Sequence, residues 1–349
     1  MKAFDYQRPE TIAEAIKAAS KPGASYYAGG TNLLDLMKVG VRTPDSLIDI
    51  TRLDDLKRIE PQKDGSLRIG ALVRNSDLAR NVDILSDYPA IAEALLSGAS
   101  GQLRNSATVG GNLMQQPRCA YFYDPHSACN LHEVGEGCDA LEGENGKHAV
   151  LGWTKTCIAV HPSDFCVPLA AMGARVVVDG PDGSREISID EFYTLPGSVQ
   201  PPGSALKQGE IITAIILPSD AKRFAPRARY IKLRDRTSYA FAIVSAAAML
   251  HIGDGRIKDA RIALGGVAAN PWRAREAEDT LNGAEANEAS FKKAADAALA
   301  DAKPSGDNAH KIELARRILV RALKAAADGT PPKMPDLPGS VFAVGKEAR

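Results

Sequence analysis

Ala28-Gly29-Gly30-Thr31-Asn32-Leu33 and, about 80 residues further on, Ala107-Thr108-Val109-Gly110-Gly111-Asn112-Leu113 are the stretches whose reading decides the fold of this chain. Each leads from a short non-helical run into a polar-to-apolar stretch. Each sets adjacent glycines where backbone N–H groups can approach a bound group with no Cβ in the way. Thr31 and Asn32 add a hydroxyl and an amide to the first loop, and Thr108 and Asn112 add the same to the second. Either loop alone reads equally well as a tight turn. As a pair they read as two clamps on one diphosphate, with several neutral donors around its charges. Neither has the Gly-x-Gly-x-x-Gly form that follows a first Rossmann strand.

Outward from the first loop, Ser25-Tyr26-Tyr27-Ala28 reads as a strand and 33–39 as a helix closed by Gly40, which puts the loop at a strand-to-helix junction. A helix is expected over 9–20, from Pro9 with Ile12, Ala15, Ile16 and Ala19 at helical spacing, and a strand over 46–50. Residues 1–54 thus form a small α/β unit. A second unit, 55–222, begins with a strand at 67–71, a helical stretch from Ser76 and a helix over 89–96, just ahead of the second loop. Residues 114–160 break the pattern, with frequent Gly, Cys, His and Asn and little periodicity. A strand at 175–179 and the turn Gly180-Pro181-Asp182-Gly183 restore it. Residues 223–330 read as an antiparallel meander over 229–233, 240–250 and 257–264, with Gly253-Asp254-Gly255 as a hairpin turn, then helices at 287–302 and 308–327. Residues 331–349 form a Pro-rich tail, and the fold class is α+β.

With 349 residues the chain can hold two or three domains, and Lys+Arg and Asp+Glu balance at 43 each. Nothing therefore points to nucleic acid or to an anionic membrane surface. No apolar run approaches the roughly 18 residues of a membrane span, and the N-terminal residues show no export signal.

Of five cysteines, four lie within 39 residues as Cys119, Cys129, Cys138 and Cys157, a C-x9-C-x8-C-x18-C spacing. Compact zinc sites favour C-x2-C knuckles, which are missing. Four thiolates on a long irregular polar segment fit a [4Fe–4S] cluster, with zinc or scattered buried thiols as the alternatives. His126, His132 and His148 share the segment and read as surface or supporting residues, since four sulfurs suffice. The glycine loops and cysteines together read as a flavin protein with an iron–sulfur cluster. Strand alternation puts Lys232 and Arg234 on one face, opposite Ile231 and Leu233. That face is either solvated or a cation set beside a flavin ring, where it would stabilise the reduced anion. No Ser-His-Asp order, His-Glu-x-x-His or Walker motif stands out, so the reading assigns no catalytic side chain and leaves the chemistry to a cofactor.

In order along the chain, these motifs resemble the FAD-binding subunit of the molybdenum hydroxylases, the family of xanthine dehydrogenase, carbon monoxide dehydrogenase and aldehyde oxidoreductases. The resemblance rests on 28–33, 107–112, His161-Pro162-Ser163-Asp164, Tyr-Ile-Lys-Leu-Arg at 230–234 and Ala-Leu-Gly-Gly-Val-Ala at 263–268, and spans almost the whole chain. It implies FAD bound between two α/β subdomains, followed by a C-terminal domain of antiparallel sheet plus helices. It implies that Tyr26, Tyr27, Ala28, Gly29, Gly30, Thr31, Asn32, Leu33 and Leu34, with Thr108, Gly110, Gly111 and Asn112, hold the pyrophosphate. Asp164 and Lys232 would lie near the ribityl chain and isoalloxazine. Ordinary members pass quickly from Gly-Gly-Asn to the Pro-x-Asp element, whereas here the connection runs from Asn112 to Pro162. This insertion holds Cys119, Cys129, Cys138 and Cys157, and excludes Cys166. It looks most like that of the periplasmic three-subunit aldehyde oxidoreductases, whose flavin subunit carries an additional [4Fe–4S] cluster. Tyr121-Phe122-Tyr123 within it is placed to pack against the flavin-side surface.

The resemblance implies an electron-transfer subunit. A molybdenum-cofactor large subunit would oxidise an aldehyde and a small [2Fe–2S] subunit would relay electrons to FAD, in a heterotrimer or its dimer. The outside acceptor would be ferredoxin-like. Export on a partner's twin-Arg signal would make the complex periplasmic; without such a partner it is cytoplasmic. Two other readings are a stand-alone non-covalent flavin oxidoreductase and a zinc-stabilised binding module. No His precedes His126, against covalent histidyl attachment near the first loop.

Overall fold

The computed structural model describes residues 1–332, so the tail expected at 331–349 lies outside the described residues except for its first two. The chain opens with β1 (Asp5–Gln7), β2 (Ala24–Tyr27) and β3 (Ser46–Asp49), paired in parallel in the order β1-β3-β2. Parallel neighbours need crossovers. The helices Ile12–Ala19 and Leu33–Lys38 supply them. The Thr11 hydroxyl caps the first by accepting from the Glu14 N–H at 3.2 Å, so that helix starts later than the expected 9–20 span. Beyond the second, Gly40 takes φ +83°, as a helix-ending residue should.

The middle of the chain supplies β4 (Ile59–Pro61), β5 (Leu67–Gly70), β6 (Arg175–Gly180) and β7 (Gly183–Ser188). A small ribbon of β8 (Tyr193–Thr194) and β9 (Gly203–Ser204) follows, and then β10 (Ile211–Leu217). The main sheet here runs β4-β5-β10-β6-β7 and is antiparallel throughout. Its central strand β10 is buried at every position. Such a strand is a continuous apolar run without alternation, and the sequence reading passed over it.

A third antiparallel sheet joins β11 (Ala228–Leu233), β12 (Val244–Gly253), β13 (Arg256–Gly265) and β14 (Trp272–Arg273) in that order. Asp254 and Gly255 both take positive φ, +55° and +74°, as a two-residue hairpin of matching twist requires. β12 begins at Val244 rather than 240, because residues 234–243 form a loop that leaves Tyr239 and Phe241 exposed. Val244, Ala246, Ala248 and Leu250 face a core shared with helices Glu288–Ala298 and His310–Asp328. Ala247 and Met249 join the core of the middle sheet and helix Cys166–Met172. With both faces covered, the alanines let helix and sheet backbones come close.

The largely irregular segment 114–160 is tied down from the C-terminal side. Lys311 is fully buried and donates to the carbonyls of Lys147 (2.7 Å), His148 (2.8 Å) and Gly266 (2.6 Å). When protonated, its three ammonium protons meet three acceptors, while burial and then the Lys147 charge lower its pKa to about 7. Asn308 Nδ2 donates to the His148 and Ala149 carbonyls at 3.0 Å each, and the Asp307 N–H donates to Asn145 Oδ1 at 2.6 Å.

At the other end of the chain, the buried carboxylate of Asp49 accepts from the Thr51 N–H (2.9 Å), the Thr51 hydroxyl (2.6 Å), Arg8 Nε (2.9 Å) and the Tyr6 hydroxyl. Burial pushes its pKa up, but the bonds from Thr51, Tyr6 and Arg8 outweigh burial and hold it at about 2. An unfolded Asp titrates near 3.9, so the native state favours the ionised form. That stability, roughly 2 kcal/mol, is complete above about pH 4 and is lost as the pH falls towards 2. Asp49→Asn is expected to lower stability at neutral pH by that order and to flatten the acid limb between pH 4 and 2, followed by circular dichroism. An acid limb identical to wild type would show that another group carries the linkage.

Candidate functional site

The first glycine loop joins β2 to helix Leu33–Lys38, as its sequence implies. Gly30 takes φ +69°, and a Cβ there would lie 2.9 Å from the Tyr27 ring. A Cβ on Gly29 would lie 2.2 Å from the Ser106 carbonyl oxygen and 2.8 Å from its carbon, backbone atoms that cannot yield. The Ser106 hydroxyl donates to the Gly29 carbonyl at 3.0 Å. The first loop is therefore seated on the lead-in to the second. Among the described residues no acceptor takes the N–H groups of Gly29, Gly30, Thr31, Asn32 and Leu33, and all five residues are half-buried. Asn32 does not cap the helix. Its Oδ1 accepts from the Gln116 N–H at 3.0 Å, and its buried Nδ2 makes no well-formed hydrogen bond, although the Tyr123 hydroxyl lies beside it. Tyr27 and Leu34 also line an open cavity of about 390 Å³ with Phe4, Tyr6, Arg8 and Asp49.

The second loop is built differently. Thr108 Oγ1 caps helix Val109–Leu113 by accepting from the Gly111 N–H at 3.2 Å. The Val109 and Gly110 N–H groups donate to the Val73 and Ala71 carbonyls at 2.9 Å each, and the Asn112 N–H donates to the Thr108 carbonyl at 2.8 Å. These backbone donors are already in use. The loop exposes Gly111, while the Asn112 amide is buried, its Oδ1 accepting from Gln115 Nε2 (2.6 Å) and the Ser163 hydroxyl (2.7 Å).

The His161-Pro162-Ser163-Asp164 segment braces that loop from behind. The Tyr193 hydroxyl donates to the Leu113 carbonyl at 2.9 Å, touches Cys166 Sγ at 3.2 Å, and its ring lies 4.6 Å from that of His161. Burial lowers the His161 pKa to about 4 and raises that of Cys166 to about 11, so both are neutral packing groups at pH 7. Asp164 Oδ2 accepts from Lys232 Nζ at 2.7 Å, and Oδ1 accepts from the Tyr230 hydroxyl at 2.5 Å. Burial, then the Asp164 charge, keeps the Tyr230 phenol protonated far above its ordinary range. The Lys232 side chain is 3% exposed, so this is not a solvated strand face. Lys232 Nζ and an Arg234 guanidinium nitrogen both donate to the Ser97 carbonyl, at 3.3 and 2.8 Å, on the one face that alternation requires.

The cysteine segment packs on the helix that starts at the first loop: Leu36, Phe122 and Cys129 form a small core with Val41, Cys119, Tyr123 and Leu131 around it. Backbones pair at Cys129 and Cys138 and at Thr154 and Cys157. Asn130 links the pairs, its Nδ2 donating to the Thr156 carbonyl at 2.8 Å while its Oδ1 accepts from the Gly135 (2.8 Å) and Gly137 (3.2 Å) N–H groups. Backbone N–H groups of Tyr121 and Phe122 face the Cys119 sulfur, those of Leu131 and His132 face Cys129, and that of Ala159 lies 3.5 Å from Cys157 Sγ. Burial pushes all three thiols up, Cys157 to about 12, and the charges of neighbouring cysteines push the same way. None of the four is in a disulfide. Among the described residues no three His, Cys, Asp or Glu side chains gather closely enough to hold one metal ion. Arg118, beside Cys119, lies over the rings of Phe241 (4.8 Å) and Tyr123 (5.7 Å), so the segment also touches the 234–243 loop. His132 Nε2 meets the Phe122 carbonyl at 2.9 Å and His126 adds only a backbone contact, from its N–H to Asp124. His148, grouped with them in the sequence, lies 3.3 Å from Cys119 Sγ.

Comparison with known proteins identifies relatives along nearly the whole chain. The family described as the FAD binding domain in molybdopterin dehydrogenase matches residues 2–220, and the CO dehydrogenase flavoprotein C-terminal domain matches 229–326. The chain is 47% identical over 329 residues to the aldehyde oxidoreductase FAD-binding subunit PaoB of Escherichia coli (strain K12), covering 93% of this chain and 99% of that one. It is 27% identical to the carbon monoxide dehydrogenase medium chain of Hydrogenophaga pseudoflava, with 93% and 96% covered. Among solved structures, carbon monoxide dehydrogenase from Hydrogenophaga pseudoflava superposes with a TM-score of 0.73 at 27% identity, over 94% of this chain and 98% of that chain. Quinoline 2-oxidoreductase from Pseudomonas putida 86 superposes with a TM-score of 0.71 at 26% identity, over 94% and 99%.

Proposed function

The chain belongs to the FAD-binding domain family of molybdopterin dehydrogenases, and we propose that it is the FAD-carrying medium subunit of a molybdenum-dependent aldehyde oxidoreductase. The observation that carries this is the run of five unengaged N–H donors at 29–33, held against the lead-in to the second loop. FAD, when bound, accepts electrons singly and releases one or two, which suits a link between one-electron centres and an outside acceptor. The five N–H groups with Asn32 Nδ2 would donate to the pyrophosphate; Gly29 lets the first loop sit on the Ser106 backbone, Gly30 supplies the positive φ beside Tyr27, and exposed Gly111 leaves the second loop open. Tyr26, Tyr27 and Ala28 lead into this cradle, Leu33 and Leu34 close it, and Thr108, Gly110 and Asn112 set the opposite wall. Asp164 and the Ser97 carbonyl orient Lys232 Nζ on the side proposed for the flavin ring.

The aldehyde assignment rests on the similarity to PaoB, an aldehyde oxidoreductase FAD-binding subunit; the partners we propose, a molybdenum-cofactor large subunit, a small [2Fe–2S] subunit and a ferredoxin-like acceptor, rest on the family resemblance of the sequence motifs. The compartment follows the signal-bearing partner: periplasm where one carries a twin-Arg leader, cytoplasm where none does. For Cys119, Cys129, Cys138 and Cys157 we propose a [4Fe–4S] cluster. Four free thiols whose charges act on one another, with backbone N–H groups facing three of the sulfurs, suit thiolates that must keep negative charge in a buried site. A four-iron cube spreads its ligands wider than a single ion does, which is consistent with the absence of a close three-residue group among the described residues.

Anaerobic purification with FAD, iron, sulfide and zinc counts tests both assignments. One FAD with four irons and four sulfides per chain is expected; FAD without iron would overturn the cluster, and zinc without FAD would overturn the whole reading. Replacing any of the four cysteines by Ser should abolish or remodel the cluster and spare FAD, whereas Cys166→Ser should leave iron and sulfide unchanged. Gly29→Ala must push the two loops apart. FAD affinity is expected to fall at least tenfold, about 1.4 kcal/mol, read from flavin absorbance retained after dialysis; full retention would remove the first loop from the binding site.

A further inference from the structure

Building on the cluster assignment above, we propose that His148 is a side-chain hydrogen-bond donor to the Cys119 thiolate that raises the cluster's reduction potential, and that Lys311 and Asn308 act as positioning residues holding it there. His148 Nε2 lies 3.3 Å from Cys119 Sγ, and its buried Nδ1 makes no well-formed hydrogen bond, although the Asn145 carbonyl lies beside the ring. A metal-bound thiolate has no proton to give, so the contact is a hydrogen bond only with the hydrogen on Nε2. The sulfur therefore gains a donor from outside its own loop, in addition to the Tyr121 and Phe122 amides.

The ring is not free to swing away. The His148 carbonyl accepts from Lys311 Nζ at 2.8 Å and from Asn308 Nδ2 at 3.0 Å. The flanking carbonyls of Lys147 and Ala149 accept from the same two side chains at 2.7 and 3.0 Å. The Ala149 N–H donates to the Ile158 carbonyl at 2.8 Å, next to Cys157. Both anchoring side chains come from the C-terminal part of the chain, around the start of helix His310–Asp328. One electron added to the cluster increases the negative charge on its sulfurs, and an N–H donor stabilises that state more than the oxidised one. Removing the donor must lower the potential.

The test uses the assembled complex. In wild-type protein whose histidines carry 15N only in the imidazole ring, the reduced cluster's electron spin should couple to a ring nitrogen and to the exchangeable proton on it. Both couplings should disappear in His148→Phe, and in that variant the reduction equilibrium should shift about tenfold against the reduced state, 59 mV for one electron. His148→Gln, which keeps a donor, should shift it less. FAD content and potential should stay unchanged in both variants. A wild-type cluster with no histidine coupling overturns the proposal, even if the Phe variant fails to assemble. So does an H148F protein with full iron and sulfide at the wild-type potential. Wild-type protein without iron and sulfide overturns the cluster assignment itself, and this inference with it.

Discussion

The contact between Gly29 and the Ser106-Ala107 backbone is the constraint on which the rest of the site depends. It joins the small parallel sheet to the region ahead of the second loop at a distance that admits no side chain. Because backbone faces backbone, neither side can relax by rotating a side chain. The relation of the two loops is set by close backbone packing that only glycine permits. With that relation fixed, the 29–33 N–H groups stay unengaged among the described residues. A loop held less firmly would close on its own donors, as the second loop does through Thr108 and the Ala71 carbonyl.

The cysteine segment depends on the same contact at one remove. Asn32 accepts from the Gln116 N–H, and Leu36 of the following helix packs on Phe122 and Cys129. Movement of the first loop would therefore be felt by the cysteines through a short stack of packed groups. The C-terminal region holds the far side of the segment through Asn308 and Lys311. Segment 114–160 has little regular structure, yet it is gripped at both ends and crossed by Asn130 in the middle. Order here comes from side-chain-to-backbone bonds replacing a ladder.

Legibility in the sequence follows the range of the interaction. Local signals survived well: the strand-to-helix junction at the first loop, the 180–183 and 253–255 turns, and the two C-terminal helices all depend on neighbours in sequence. β10 was missed because a strand buried on both faces has no period to detect. β12 begins later than the expected 240 because residues 240–243, with Phe241 exposed, belong to the loop that follows Leu233, and Tyr239 just before them takes φ +52°. At the site, the residue types were readable but their division of labour was not. That Gly110 spends its N–H on Ala71 while Gly29 keeps its own free depends on partners far along the chain. The same holds for His148, indistinguishable from His126 and His132 until Lys311 fixes its carbonyl.

The Lys232–Asp164 pair shows why a buried charge can persist where apolar packing would be cheaper. Taking both ions out of water costs more than their attraction returns unless other bonds satisfy them. Here Asp164 also receives the Tyr230 hydroxyl, and Lys232 also reaches the Ser97 carbonyl, which Arg234 shares. The pair joins β11 to the segment that braces the second loop, so the third sheet and the glycine loops are linked through charge as well as packing. An apolar replacement of similar volume could fill the space, but it would leave the buried Tyr230 hydroxyl without its acceptor and the Ser97 carbonyl with Arg234 alone. The pair is therefore held by its surroundings, and its orientation is determined by them.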